Sequence, residues 1–185
     1  KSMFKQTIGI LEQQTSPYFA FIITLTNHHP YILDESMNEI DLLSEHENTK
    51  FGNYLQTASY TDQALGDIIE ELKAKGLYDD TVIAMYGDHH GLNCNMDDND
   101  VIMEEYLGRT YTYDEMFNVP LMIHIPNSGI NQTVSMLGGQ IDFLPTIANL
   151  FNLEISQPYV LGQDLNNAEN GFVAFTAYLL EGSFA

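Results

Sequence analysis

The sequence has no tryptophan, one cysteine and six basic residues among 185. With Cys94 alone, no disulfide can form within the chain and no cysteine-based zinc site can be built. Six lysines and arginines against 26 acidic residues give a formal net charge of −20. Such a surface repels nucleic acid and anionic lipid, so its fitting partners are cations, neutral molecules or anions held through a local metal. The same charge also suits a plain solvated surface. No apolar run approaches the ~20 residues that a membrane span requires; the longest, Tyr18 to Leu25, is strand length. The opening Lys1-Ser2-Met3 carries no signal-peptide pattern, and the chain ends at Ser183-Phe184-Ala185 just after an apolar run. Both ends read as those of an excised fragment.

A hydrophobic content of 44% allows a sizeable core in a single domain spanning residues 1–185. Residues 2–14 read as a helix with Phe4, Ile8 and Leu11 on one face. Tyr18 to Thr26 is apolar on both faces, as in a strand buried between helical layers, and Asn27-His28-His29-Pro30 ends it. Residues 34–49 form an acidic surface loop. A long helix is predicted from Phe51 to Lys75, striped by Tyr54, Ala58, Leu65, Ile68, Ile69 and Leu72 and capped by Gly76. Thr81 to Tyr86 reads as a second buried strand, residues 98–107 as a short acidic helix, and Val119 to Ile125 as a third strand. Asp142 to Phe151 reads as a helix with Pro145 in its first turn, and Phe172 to Tyr178 as a last strand. Strands alternating with helices argue for a layered α/β/α fold around a mostly parallel or mixed sheet.

Two motifs carry chemistry. Asp88-His89 follows a predicted strand directly, and sites in open α/β sheets gather at the C-terminal ends of strands. A carboxylate beside an imidazole offers one hard and one borderline ligand, a pair suited to manganese or zinc, while Gly87 and Gly91 let the backbone turn around them. A turn-capping aspartate beside surface histidines fits the spacing equally well. The second motif, Asn27-His28-His29-Pro30, also leaves a predicted strand, so the two sites could face one cleft. A histidine there suits a phosphate oxygen or acid–base work, or a plain backbone hydrogen bond. His124, inside a predicted strand, reads as a hydrogen-bonded structural histidine, and His46, in the acidic loop, as exposed.

The segments LTNHHPY (25–31), YLQTASYTDQALGDIIEELKAKGLYDDTVIAMYGDHHG (54–91) and GGQIDFLPTIANL (138–150) occur in this order. Together they resemble the C-terminal half of the catalytic domain of the lipoteichoic acid synthase family, in the sulfatase-like branch of the alkaline phosphatase superfamily. The resemblance covers residues ~17–165. It implies an alkaline phosphatase/sulfatase-like fold truncated at its N-terminal side, lying outside the cell in a protein held to the membrane by an N-terminal anchor. It also implies transfer of glycerol phosphate from phosphatidylglycerol, or a similar anionic ester, to a cell-envelope polymer. Carried over by position, Asp88 and His89 are ligands of a manganese ion, with zinc, magnesium or calcium as other divalent candidates, and His28 contacts the glycerol phosphate group. No nucleic acid is implied. The implied reaction is a two-step displacement at phosphorus through a threonine nucleophile.

That threonine and a glutamate ligand lie upstream in the family, so no catalytic nucleophile is expected within this chain. His90 stands where relatives often have an aromatic residue, and its role stays open. A sulfatase or phosphodiesterase on the same scaffold is the alternative. Sulfatases place a lysine after the metal-binding loop, whereas here no lysine follows Lys75 and Arg109 is the one later basic residue. A third reading is an inactive fragment or non-catalytic module.

Overall fold

Helix α1 (Ser2–Leu11) buries Phe4 and Ile8, spaced four apart on one face, against helix α2 (Lys50–Ala74). It stops before the predicted residue 14; the Glu12 N–H closes the last turn on the Ile8 carbonyl. The computed structural model describes residues 1–156, 159–175, 178–180 and 182–185. It separates into two compact units, Lys1–Gly129 and Ile130–Ala185.

In the first unit α2 is the central support. Thr49 caps its N-terminus, its hydroxyl accepting the Gly52 N–H at 3.0 Å. Its C-terminus closes as the sequence suggests: Gly76 adopts φ 68°, where a side chain would be strained. The Gly76 N–H then reaches the Lys73 carbonyl and the Leu77 N–H the Leu72 carbonyl. Phe51, Ala64 and Leu72 are buried on α2, with Leu65, Ile68 and Ile69 half-buried beside them. The face also carries polar residues that the apolar stripe does not anticipate. Gln56 is buried, with Oε1 accepting the Glu39 and Ile40 N–H groups and Nε2 donating to the Ile40 carbonyl at 2.6 Å. The acidic loop is thereby fastened to the helix by a side-chain amide.

Strand β1 (Ile83–Tyr86) pairs with β2 (Leu121–His124), within the strands expected at 81–86 and 119–125. The pair is antiparallel, in the register Ile83 with His124 through Tyr86 with Leu121, and among the described residues no parallel pairing accompanies it. The Gly87 N–H extends the pairing by one bond, to the Pro120 carbonyl at 3.0 Å. Helix α3 (Asn99–Leu107) lies between them in sequence, as predicted. The run from Tyr18 to Thr26 does not behave as predicted. It belongs to no strand, and Phe19, Phe21, Ile23 and Leu25 are exposed. Apolar composition creates the demand for burial, but a strand also needs neighbours to take its N–H and C=O groups. Among the described residues the only strands that form a ladder are β1 and β2.

His46 and His124 also depart from expectation. His46 is half-buried, edge-on to Phe51 at 4.9 Å, because the acidic loop folds back on the start of α2. His124 stacks on Tyr78 at 4.8 Å, yet among the described residues its buried Nε2 has no hydrogen-bond partner: stacking covers the ring face and leaves the edge unsatisfied. Among the described residues no helix is long and apolar enough to cross a membrane.

The second unit is organised by Asp142. A 3₁₀ turn (Gln140–Asp142) leads into helix α4 (Phe143–Leu150), which places Pro145 in the first helical turn, where no intrahelical N–H is needed. The Asp142 carboxylate is buried and accepts two backbone N–H groups, from Gly139 and Gln163, each at 2.8 Å. Thr146, also buried, donates to the Asp142 carbonyl and accepts the Leu165 N–H. The Asp-x-x-x-Thr spacing within GGQIDFLPT thus serves to staple the 162–165 strap onto α4. Near the C-terminus Ala174 and Phe184 form an antiparallel bridge; the rest of the strand expected at 172–178 includes residues 176 and 177, which lie outside the described residues. Replacing Asp142 with alanine strands two half-buried N–H groups and is expected to cost about 2 kcal/mol. Urea unfolding of the chain checks this, and a loss below about 1 kcal/mol would show that water replaces the carboxylate.

Candidate functional site

The two histidine motifs meet. The ring of His28 lies edge-on to that of His89, with centroids 5.3 Å apart. Asp88 and His89 follow the end of β1, and the His89 Nε2 is 3.8 Å from the Asp88 Oδ1. Both side chains are substantially exposed. His29 turns to Tyr31 instead, its ring 6.0 Å from the phenol ring. His28 and His29 both border one open hollow of about 600 Å³ whose apolar wall includes Leu25, Ile32, Leu33 and Met37. His90 is half-buried, its ring edge-on to Phe117 at 6.2 Å.

Buried apolar anchors hold the two loops in place. Three residues after His28 comes Tyr31, and three after His89 comes Leu92; both are buried with Phe51 of α2 in one cluster, flanked by Tyr54, Leu55, Ile102 and Met103. The first loop closes as a turn, with the Tyr31 N–H on the His28 carbonyl at 2.8 Å. The second passes so close to Tyr54 that a Cβ on Gly91 would lie 3.0 Å from its ring and hydroxyl, which is why glycine stands there. Beyond Leu92 the loop is tied down twice more. Lys50 pairs with Asp97 at 2.7 Å, and the buried Asn99 amide donates to the Asn93 carbonyl at 2.7 Å. Cys94 is buried in this loop and unoxidised, and burial raises its thiol pKa.

Hydrogen bonding fixes which ring nitrogen faces outward. The Nδ1 of His28 lies 2.8 Å from the His29 carbonyl, and that of His89 lies 2.7 Å from the His90 carbonyl. A carbonyl oxygen only accepts, so Nδ1 carries the hydrogen in each ring and the neutral imidazole presents a lone pair at Nε2. His89 then sets this lone pair beside the Asp88 carboxylate oxygen. Two acceptors so close repel unless a proton or a cation lies between them. Their spacing can be bridged by two bonds of ~2.0–2.2 Å to one ion. Chemically the pair fits a divalent cation, but as part of a set. Among the described residues no group of three or more His, Cys, Asp and Glu side chains is gathered to hold one.

Thr57 and Tyr54 are the contributors that the motifs do not announce. Thr57 is fully buried, and its hydroxyl lies 2.9 Å from the Asn27 Oδ1 and 3.0 Å from the Tyr54 carbonyl. The available signal was a polar letter on the apolar side of a long helix.

Fold and residue pattern together define a layered α/β domain of the alkaline phosphatase/sulfatase type. The sequence model of the family described as Sulfatase matches residues 1–153, and the chain belongs to that family. It is 42% identical over 171 residues to lipoteichoic acid synthase 1 of Bacillus subtilis, covering 89% of this chain and 26% of that protein. It is 36% identical over 181 residues to lipoteichoic acid synthase of Staphylococcus aureus, covering 95% of this chain and 27% of that protein. The crystal structure of the lipoteichoic acid synthase LtaP from Listeria monocytogenes superposes with a TM-score of 0.81 at 28% identity, covering 92% of this chain and 43% of that one. The chain thus spans about a quarter of the length of the curated relatives it matches.

Burial pushes the phenol pKa values of both Tyr31 and Tyr54 up, with the charge of Tyr54 a smaller cause for Tyr31. A phenol held above its unfolded value of about 10 contributes stability that is fully present below that value. The contribution is lost as pH rises through the folded pKa. An alkaline titration followed by phenolate absorbance should therefore show Tyr31 and Tyr54 ionising late, with Tyr111, whose phenol burial also pushes up, and accompanied by loss of the fold. Tyr31→Phe and Tyr54→Phe should each remove one late-titrating group, and ionisation of either tyrosine with the exposed ones would contradict this packing.

Proposed function

We propose that this chain supplies part of the metal and substrate site of a phosphoglycerol transferase resembling lipoteichoic acid synthase. In this reading the enzyme moves glycerol phosphate from phosphatidylglycerol to a cell-envelope polymer at the outer face of the cell membrane. The observation that carries it is the meeting of His28 with the Asp88–His89 pair, from two loops far apart in sequence. The similarity to lipoteichoic acid synthases across 89% and 95% of the chain supports the substrate class.

Asp88 and His89 would hold the divalent cation, manganese in this reading, through the carboxylate and Nε2. When bound, the ion supplies positive charge to phosphoryl oxygens and lowers the pKa of a hydroxyl nucleophile. His28 serves the substrate. With Nδ1–H committed to the His29 carbonyl, its Nε2 accepts from a glycerol hydroxyl, or, when the ring is protonated, donates to a phosphate oxygen. Five of the six basic side chains, Lys1, Lys50, Lys73, Lys75 and Arg109, are engaged with carboxylates, so a phosphate group depends on local charge at this site. The nucleophile and the remaining ligand are assigned to residues upstream of these.

In a protein that joins this chain to the upstream residues its relatives possess, Asp88→Ala and His89→Ala should each lower bound manganese and abolish transfer. His28→Ala should lower turnover by about 10²-fold or more with metal retained. Metal lost along with His28 would make it a ligand. Ester hydrolysis is the second reading, favoured by the Sulfatase family match. A chromogenic sulfate ester turned over faster than phosphatidylglycerol would establish it.

Residues 1–185 by themselves, with manganese added, should hydrolyse a chromogenic phosphodiester or sulfate ester no faster than the ion in buffer. Without an oriented nucleophile, on the order of 7 kcal/mol of barrier lowering is forfeited. Turnover well above that control and abolished by Asp88→Ala would mean that a complete site exists here.

A further inference from the structure

We propose that Thr57, two turns into α2, is the positioning residue that sets His28 against His89; its consequence for catalysis rests on the role assigned to His28 above. The side chain reaches neither histidine. It has no exposed surface, and its hydroxyl shares one hydrogen between the Asn27 Oδ1 and the Tyr54 carbonyl. Asn27 immediately precedes His28 and is itself exposed. The first loop therefore has two fixed points on the same helix, an apolar one at Tyr31 on its far side and a polar one at Asn27 on its near side, with His28 between them.

The second loop rests on that helix one turn earlier. Tyr54, whose carbonyl receives the Thr57 hydroxyl, presents its ring to Gly91, and the same ring lies edge-on to Tyr31 at 5.2 Å. Both loops are thus referenced to the 54–57 turn of α2. The apolar contacts fix how closely each loop approaches the helix but tolerate sliding. The Thr57–Asn27 bond is directional and sets the position of the loop along it.

The test reads the geometry directly. In the full chain, nuclear Overhauser cross-peaks between the imidazole C–H protons of His28 and His89 report their edge-on contact without metal, substrate or turnover. Thr57→Val keeps the shape and removes the hydroxyl, Thr57→Ser keeps the hydroxyl, and Asn27→Ala removes the partner from an exposed position where folding is not at stake. The expected result is loss of the cross-peak in Thr57→Val and Asn27→Ala, no further loss in the double variant, and retention in Thr57→Ser. A wild-type cross-peak in Asn27→Ala, or in a folded Thr57→Val, overturns the proposal. If Thr57→Val does not fold, Asn27→Ala decides alone. In the longer protein Thr57→Val and Asn27→Ala should lower turnover about tenfold with bound metal unchanged, while Thr57→Ser should stay near wild type. Loss of the cross-peak with turnover intact leaves the positioning in place and refutes the role given to His28.

Discussion

Much of the first unit depends on one buried contact, the seat of Tyr31 and Leu92 on Phe51 at the start of α2. Each of those two residues follows a histidine of the candidate site, His28 or His89, by three positions, so burying the apolar residue fixes where the polar one can go. Exposed imidazoles have little packing of their own to order them. Here they inherit order from neighbours that water cannot reach, at the modest entropic cost of a short turn each. Lys50 with Asp97, Asn99 with Asn93, and Gln56 with residues 39 and 40 extend the same logic, fastening loops with few regular hydrogen bonds to the best-formed helix in the chain.

The second unit solves a similar problem by another route. Here a buried carboxylate and a buried hydroxyl, four residues apart at the start of α4, bind the backbone N–H groups of Gly139, Gln163 and Leu165. A bond to a charged acceptor is strong where water is excluded, and an abandoned N–H there is costly. The family motif around Asp142 therefore has a complete structural explanation within its own unit.

Local periodicity made the helices legible. The 3.6-residue spacing in α1 and α2, the glycine at position 76 and the proline in the first turn of α4 are short-range signals, and short-range physics answers them. The two histidine motifs were legible because each leaves a recognisable apolar run. Their meeting was anticipated only through strand-end reasoning, although the first run forms no strand here. What the sequence could not display was the mediator. Thr57 looks like one more polar residue on a helix until its burial is known, and burial is a property of the fold. The same holds for His46 and His124, whose surroundings are set by chain segments distant in sequence. The apolar run at 18–26 was misjudged for a related reason: composition states what a segment needs, and the rest of the structure decides whether it is met.

That run has a colloidal consequence. Phe19, Phe21, Ile23 and Leu25 together present alternate large apolar side chains to water, the pattern by which separate molecules zip together edge to edge. What opposes this in solution is mutual repulsion between molecules of charge −20. Repulsion of that kind reaches only ~8 Å at physiological ionic strength and ~3 Å in molar salt, and it vanishes as pH approaches the isoelectric point near 4.2. Acidification or added salt therefore removes the repulsion that opposes contact between these exposed apolar runs.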